Sequence, residues 1–242
     1  MSSLARAIAF LSFLPCAAQA MGASPQLGGP MKHLQVTVIN QIVTVSVDGD
    51  PNERLWLQDY GETYAGAASV LDGQSYNGQY GWLIGGIVDI PSGAGVFVEL
   101  QSQSEGLLAF EQGTFAPIFG TQGSDVVWQW NGFMTHNWYA ADTCGKYEAI
   151  YEVYVGDAVG NRIPEYVSDF VTLYWQFVPV ENLGDFDQDG DVDLLDFAEF
   201  QTCFTGSGES TMASHCGCFD FDGDDDVDAV DYQAIEPAFE GE

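Results

Sequence analysis

Six aspartates stand at positions 185, 187, 189, 191, 193 and 196, inside the run GDFDQDGDVDLLDF. Carboxylates this dense repel one another unless something positive sits among them. Counted from Asp185, they fall at loop positions 1, 3, 5, 7, 9 and 12, with Gly190 at position 6. That is the spacing of a calcium loop: hard oxygens at alternate residues converge on one ion, glycine permits the sharp turn, and a carboxylate at position 12 closes the shell. Asp185, Asp187, Asp189 and Asp196 are the side-chain candidates. Asp191 stands where such a loop uses its backbone carbonyl, and Asp193 where it often works through a water.

The pattern recurs 35 residues later in DFDGDDDVDAVDY, residues 220–232. Asp220, Asp222, Asp224, Asp226, Asp228 and Asp231 take the same six positions. Val192 and Val227 keep the same phase, as do Phe197 and Tyr232 just beyond each loop. An unstructured acidic tail has no reason to hold that register. Position 6 is Gly190 in the first copy but Asp225 in the second. A side chain at positive φ costs on the order of 1 kcal/mol, so the second site is expected to hold calcium more weakly. Ca²⁺ is preferred to Mg²⁺, because so many carboxylates suit a roomy shell better than a tight octahedron. Each loop must be followed by a short helix; Phe197 and Phe200, three apart, give the first of these an apolar face.

The chain has 242 residues with 36 acidic and 5 basic side chains, a net charge of −31. Phosphate backbones and anionic membrane surfaces both need Lys and Arg, so nucleic acid and lipid headgroups are poor partners. Residues 181–242 carry 19 of the acidic residues and no Lys or Arg, which marks a domain boundary near Glu181. At the other end, Arg6, an apolar run over 7–18 and Ala18-Gln19-Ala20 read as a signal peptide, residues 1–20, followed by a linker over 21–31. Export to the cell surface or medium follows. No stretch is long and apolar enough to predict a membrane-spanning helix. After cleavage Cys144, Cys203, Cys216 and Cys218 remain, which in an exported chain suggests disulfides. Cys216-Gly217-Cys218 has no second pair at ligand spacing, which argues against zinc.

Between residues 32 and 180 the apolar period is two. Leu34, Val36 and Val38, then Val43, Val45 and Val47, alternate across a tight Asn40-Gln41 connection. Tyr147, Ala149, Tyr151, Val153 and Val155 share one face, and Val171, Leu173, Trp175 and Phe177 another. Many short strands with turn signals between them predict an all-β body, an antiparallel sandwich or jelly roll. Asp59, Glu62, Glu99 and Glu111 are the carboxylates that glycoside hydrolysis would draw on, but sequence pairs none of them. His33 and His136 are isolated, and no hydrolase or phosphate-loop motif is present. Trp82, Trp128, Trp130 and Trp138 are either core or, if exposed and coplanar, a platform for a polysaccharide.

The duplicated D-x-D-x-D-G-x-V-D-x-x-D loop, each copy followed by a helix and neither preceded by an entry helix, resembles a type I dockerin over residues 184–240. The resemblance implies a small, helical, EF-hand-like module with calcium held by the side chains of Asp185, Asp187, Asp189 and Asp196 and the main chain of Asp191. In the second loop it implies Asp220, Asp222, Asp224 and Asp231 with the main chain of Asp226. It further implies a cohesin-like protein partner, met at loop positions 10 and 11. Here these are Leu194-Leu195 and Ala229-Val230, apolar where many dockerins carry Ser-Thr. In that frame Cys203 and Cys216 form a local clip, leaving Cys144 and Cys218 free or paired across the two domains. Through QYGWL and THNWY the body resembles uncharacterised sandwich domains that precede such modules. The expectation is a non-catalytic, calcium-binding docking protein; the alternatives are a carbohydrate-binding module or a polysaccharide-active enzyme.

Overall fold

The computed structural model describes residues 23–177, 184–185, 192–208, 214–222 and 224–239. The expected signal peptide over residues 1–20, the segment 178–183 and the ligand candidates Asp187, Asp189 and Asp191 all lie outside the described residues.

The described chain is mainly β. In order come β1 (Lys32–Ile39), β2 (Ile42–Val47), β3 (Leu55–Trp56), β4 (Ser75–Asn77), β5 (Tyr80–Val88) and β6 (Gly95–Gln103). Then follow β7 (Leu108–Phe110), β8 (Val127–Trp130), β9 (Thr135–His136), β10 (Trp138–Ala141), β11 (Gly145–Gly156) and β12 (Asp169–Phe177). Two helices, α1 (Leu194–Cys203) and α2 (Ala229–Phe239), close the chain. The strands form three sheets, in the orders β2-β1-β5-β9, β4-β10-β7 and β3-β12-β11-β6-β8.

The β1–β2 hairpin turns on Asn40 and Gln41, both at positive φ (51° and 66°). A two-residue turn with this hand matches the right-handed twist of the strands, and it fixes the register from Ile39↔Ile42 to Leu34↔Val47. The alternation in β11 and β12 is also realised: Tyr147, Ala149, Tyr151 and Val153 are buried, and so are Val171, Leu173 and Trp175. The all-antiparallel expectation fails at two places. β1 pairs β5 in parallel, Leu34 opposite Trp82, and β3 pairs β12 in parallel. Parallel neighbours need a long crossover, and residues 42–79 supply it for β1 and β5.

One core joins the inner faces of the four- and five-stranded sheets, with Val36, Trp82, Val98, Trp128, Tyr151 and Trp175 among its members. The outer edge of β2 is tied to the segment entering β12: Val43 N donates to Val167 O, and Val45 N to the Asp169 carboxylate at 2.8 Å. Such a tie removes an exposed edge that could pair with another chain. A second cluster, around Tyr64, Tyr76, Phe110 and Trp138, takes in Ala23 and Leu27. Part of the segment read as a linker therefore lies on the body: Ala23 bridges Tyr64, and Leu27 O accepts from Gly78 N.

Candidate metal centre

The tail has its own apolar cluster. Phe200, Phe219, Val227 and Ile235 are buried together with Cys144, Cys203, Cys216 and Cys218, and Phe177 at the end of β12 packs on it. Helix α1 starts in a capping box. Asp193 accepts from Leu195 N at 2.7 Å, while Asp196 accepts from Asp193 N at 2.8 Å. This satisfies two backbone donors that a helix N-terminus leaves without partners. Of the first loop's expected side-chain ligands, Asp185 and Asp196 are described, and both are buried.

The second loop is described except for residue 223. Carboxylate oxygens of Asp220, Asp222 and Asp224 lie within 4.8 Å of one another, and so do those of Asp226, Asp228 and Asp231. Backbone amides bend the loop around them. Asp224 N donates to Asp220 Oδ1 at 3.1 Å, Asp225 N to Asp220 Oδ2 at 3.0 Å, and Phe221 N to Asp231 Oδ1 at 2.7 Å. Asp228 N reaches Asp231 Oδ2 at 2.8 Å, and Asp228 Oδ1 caps α2 through Val230 N at 2.6 Å. Of the five residues expected to bind here, Asp220, Asp222 and Asp224 form the first group, and Asp226 and Asp231 share the second with Asp228. Asp225 sits at φ 72°, the left-handed conformation expected of position 6.

Acidic groups placed this close could hold a cation. Burial raises the Asp231 carboxyl above its ordinary range, and the Asp222 charge adds to it. Asp222 is raised by desolvation and by the charges of Asp224 and Asp220. Asp226 is 2% exposed; its Oδ2 accepts from Gly208 N, but its Oδ1 has no hydrogen-bond partner among the described residues. A buried carboxylate oxygen without a partner is costly, and a bound cation would relieve it. The donor set is all oxygen, hard and anionic, which fits Ca²⁺.

Two features of the site come from the body. Cys218 is bonded to Cys144, immediately before β11, while Cys216 is bonded to Cys203 at the end of α1. Cys-Gly-Cys is therefore a double anchor with one disulfide running each way, and neither thiol is left for zinc. Gly217 between them lies flat on β11: a Cβ there would meet Lys146 N at 2.8 Å and Lys146 Cγ at 3.0 Å. Lys146 itself reaches the loop, donating to Asp220 Oδ2 and to Asp225 Oδ1, the latter at 2.5 Å. That hydrogen bond holds the Asp225 carboxyl below its ordinary range. Sequence reasoning missed Lys146. The one hint was that it is among only five basic residues and stands two positions after a cysteine.

The other candidates are accounted for by structure. Trp82, Trp128, Trp130 and Trp138 are all buried, so none of them offers a sugar platform. Glu99 and Glu152, opposite each other on β6 and β11, share Arg162. Glu111 accepts from Trp128 Nε1 and Thr114 Oγ1. Asp59 caps Gly61 N in its own turn, and Glu62 is exposed. His33 pairs with Asp48 at 2.7 Å. His136 bonds Gly78 O through Nδ1, and burial lowers its pKa. Among the described residues no helix is long and apolar enough to cross a membrane.

Compared with known proteins, the chain matches no family model, no curated protein and no solved structure.

Proposed function

We propose that this chain is an exported calcium-binding protein in which a type I dockerin-like tail, residues 184–240, docks a β-sandwich body onto a cohesin-like or cell-surface partner. The observation that carries the reading is that the second-loop carboxylates gather in two groups of three, Asp220 with Asp222 and Asp224, and Asp226 with Asp228 and Asp231, each close enough to share a cation. The first loop repeats those positions in the sequence. Two disulfides suit an oxidising compartment. The body's core between two large sheets supports the sandwich assignment.

The docking face is the one that carries loop positions 10 and 11. Leu194 and Leu195 are 79% and 62% exposed, and Val230 is 52% exposed. Beside them an apolar groove of about 400 Å³ is lined by Phe197, Phe200, Gln201, Phe204, Ala229 and Tyr232. An exposed apolar face next to a groove of this kind is what a protein partner covers.

Calorimetry of the full chain tests the reading. Two calcium-binding steps are expected, with Asp185→Asn removing the tighter and Asp231→Ala the weaker. Hydrogen exchange of the α1 and α2 amides should slow on adding calcium, since cation binding and folding of such a small acidic module are coupled. A chain that takes up no calcium at millimolar concentration retires the proposal.

A further inference from the structure

We infer that Lys146 is a resident cation of the second loop, supplied by the body, and that it sets how tightly that loop holds calcium. The inference rests on the calcium reading of the loop and goes beyond it. Three observations meet at this residue. Its side chain is 10% exposed and touches Asp220, whose own side chain is fully buried. It also bonds Asp225, the residue that replaces the loop glycine at φ 72°. Its backbone is held against the loop by the Cys144–Cys218 disulfide and the close approach of Gly217. The departure at position 6 thus gains a physical reason: the Asp225 side chain accepts a body lysine at the cost of left-handed strain, and glycine would offer the lysine nothing.

A cation already seated on the ring has two consequences. In calcium-free protein, Lys146 offsets part of the mutual repulsion of the aspartates and keeps the loop closed against β11. Toward an incoming divalent ion it is a like charge. A single and a double positive charge about 6 Å apart repel enough, even at water's dielectric constant, to weaken binding about ten-fold. The second loop is therefore a calcium site whose affinity depends on its docking to the body. The orphaned Asp226 Oδ1 in the adjoining carboxylate group shows that Lys146 does not satisfy the whole ring.

The test compares full-length wild type, Lys146→Met and Lys146→Arg, all oxidised, by calorimetry with calcium alone as the titrant. Asp231→Ala identifies the second-loop step by abolishing it. Lys146→Met is expected to tighten that step about ten-fold and leave the first-loop step in place, whereas Lys146→Arg keeps the wild-type affinity. Thermal unfolding gives a second readout: Lys146→Met should melt lower than wild type in EDTA, with the gap closing at saturating calcium. A second-loop step that is unchanged or weaker in Lys146→Met overturns the inference and leaves calcium binding standing. Absence of any step sensitive to Asp231→Ala overturns both.

Discussion

At the scale of single residues, the second loop balances strain against contact. Asp225 holds a left-handed backbone that costs about 1 kcal/mol for a residue with a β-carbon. Its ion pair with Lys146 is half exposed on the aspartate side, a setting in which such pairs contribute between about 0 and 1 kcal/mol. Asp225→Gly is therefore expected to tighten calcium at this loop by a few-fold, seen as a shift of the weaker calorimetric step. Asp196 has two tasks in the first repeat: it closes the capping box and stands at loop position 12. Asp196→Ala should abolish the tighter calcium step, and should lower stability by about 1 kcal/mol even in EDTA through the lost cap. Denaturant unfolding in EDTA reads the second effect alone.

At the scale of elements, turns and disulfides decide the arrangement. Gln41 takes φ 66° in the β1–β2 turn, a position that glycine fills without strain. Gln41→Gly is expected to stabilise the body by up to about 1 kcal/mol, measurable as a rise in melting temperature. The Cys144–Cys218 bond closes 74 residues of sequence separation, whereas Cys203–Cys216 closes 13. Bonds of this kind typically contribute about 2–4 kcal/mol. The paired variant Cys144→Ser with Cys218→Ser should split one thermal transition into two, since it removes this covalent tie and leaves packing such as that of Phe177, Gly217 and Lys146. A single unchanged transition would show that packing alone unites the two parts.

At the scale of the whole molecule, a net charge of −31 makes calcium and protons rivals. Asp222 and Asp231 have raised pKa values in the folded chain, so the folded state binds more protons than the unfolded one just above their ordinary value of 3.8. Stability of the calcium-free tail therefore rises as pH falls from neutral toward that range. Asp225 runs the other way: its pKa is depressed by Lys146, so its contribution is present above 3.8 and is lost as pH falls through its lower folded value. With calcium bound, acid should only destabilise, because protonation removes ligands. Melting curves of the full chain between about pH 7 and about pH 4, in EDTA and in excess calcium, should slope in opposite directions.

Local order carried a good deal of this. The phase of the two aspartate loops, the period-two faces of β11 and β12, and the Asn40-Gln41 hairpin are all set by neighbours a few residues apart, where backbone geometry repeats. So the loop that carries Asp220, Asp222, Asp224, Asp226 and Asp231 is legible in the sequence. What the sequence could not rank were contacts between residues far apart along the chain, each of which depends on how sheets close. The parallel meeting of β1 with β5 needs a crossover that no local pattern announces. Trp128 and Trp130 share a strand face whichever way it points, and only the packed sheets turned that face inward. Lys146 meets Asp220 because a disulfide and a bare glycine bring β11 against the loop, 74 residues downstream. Periodicity supplied the ring of charges; the fold alone decided which cation-bearing surface it would face.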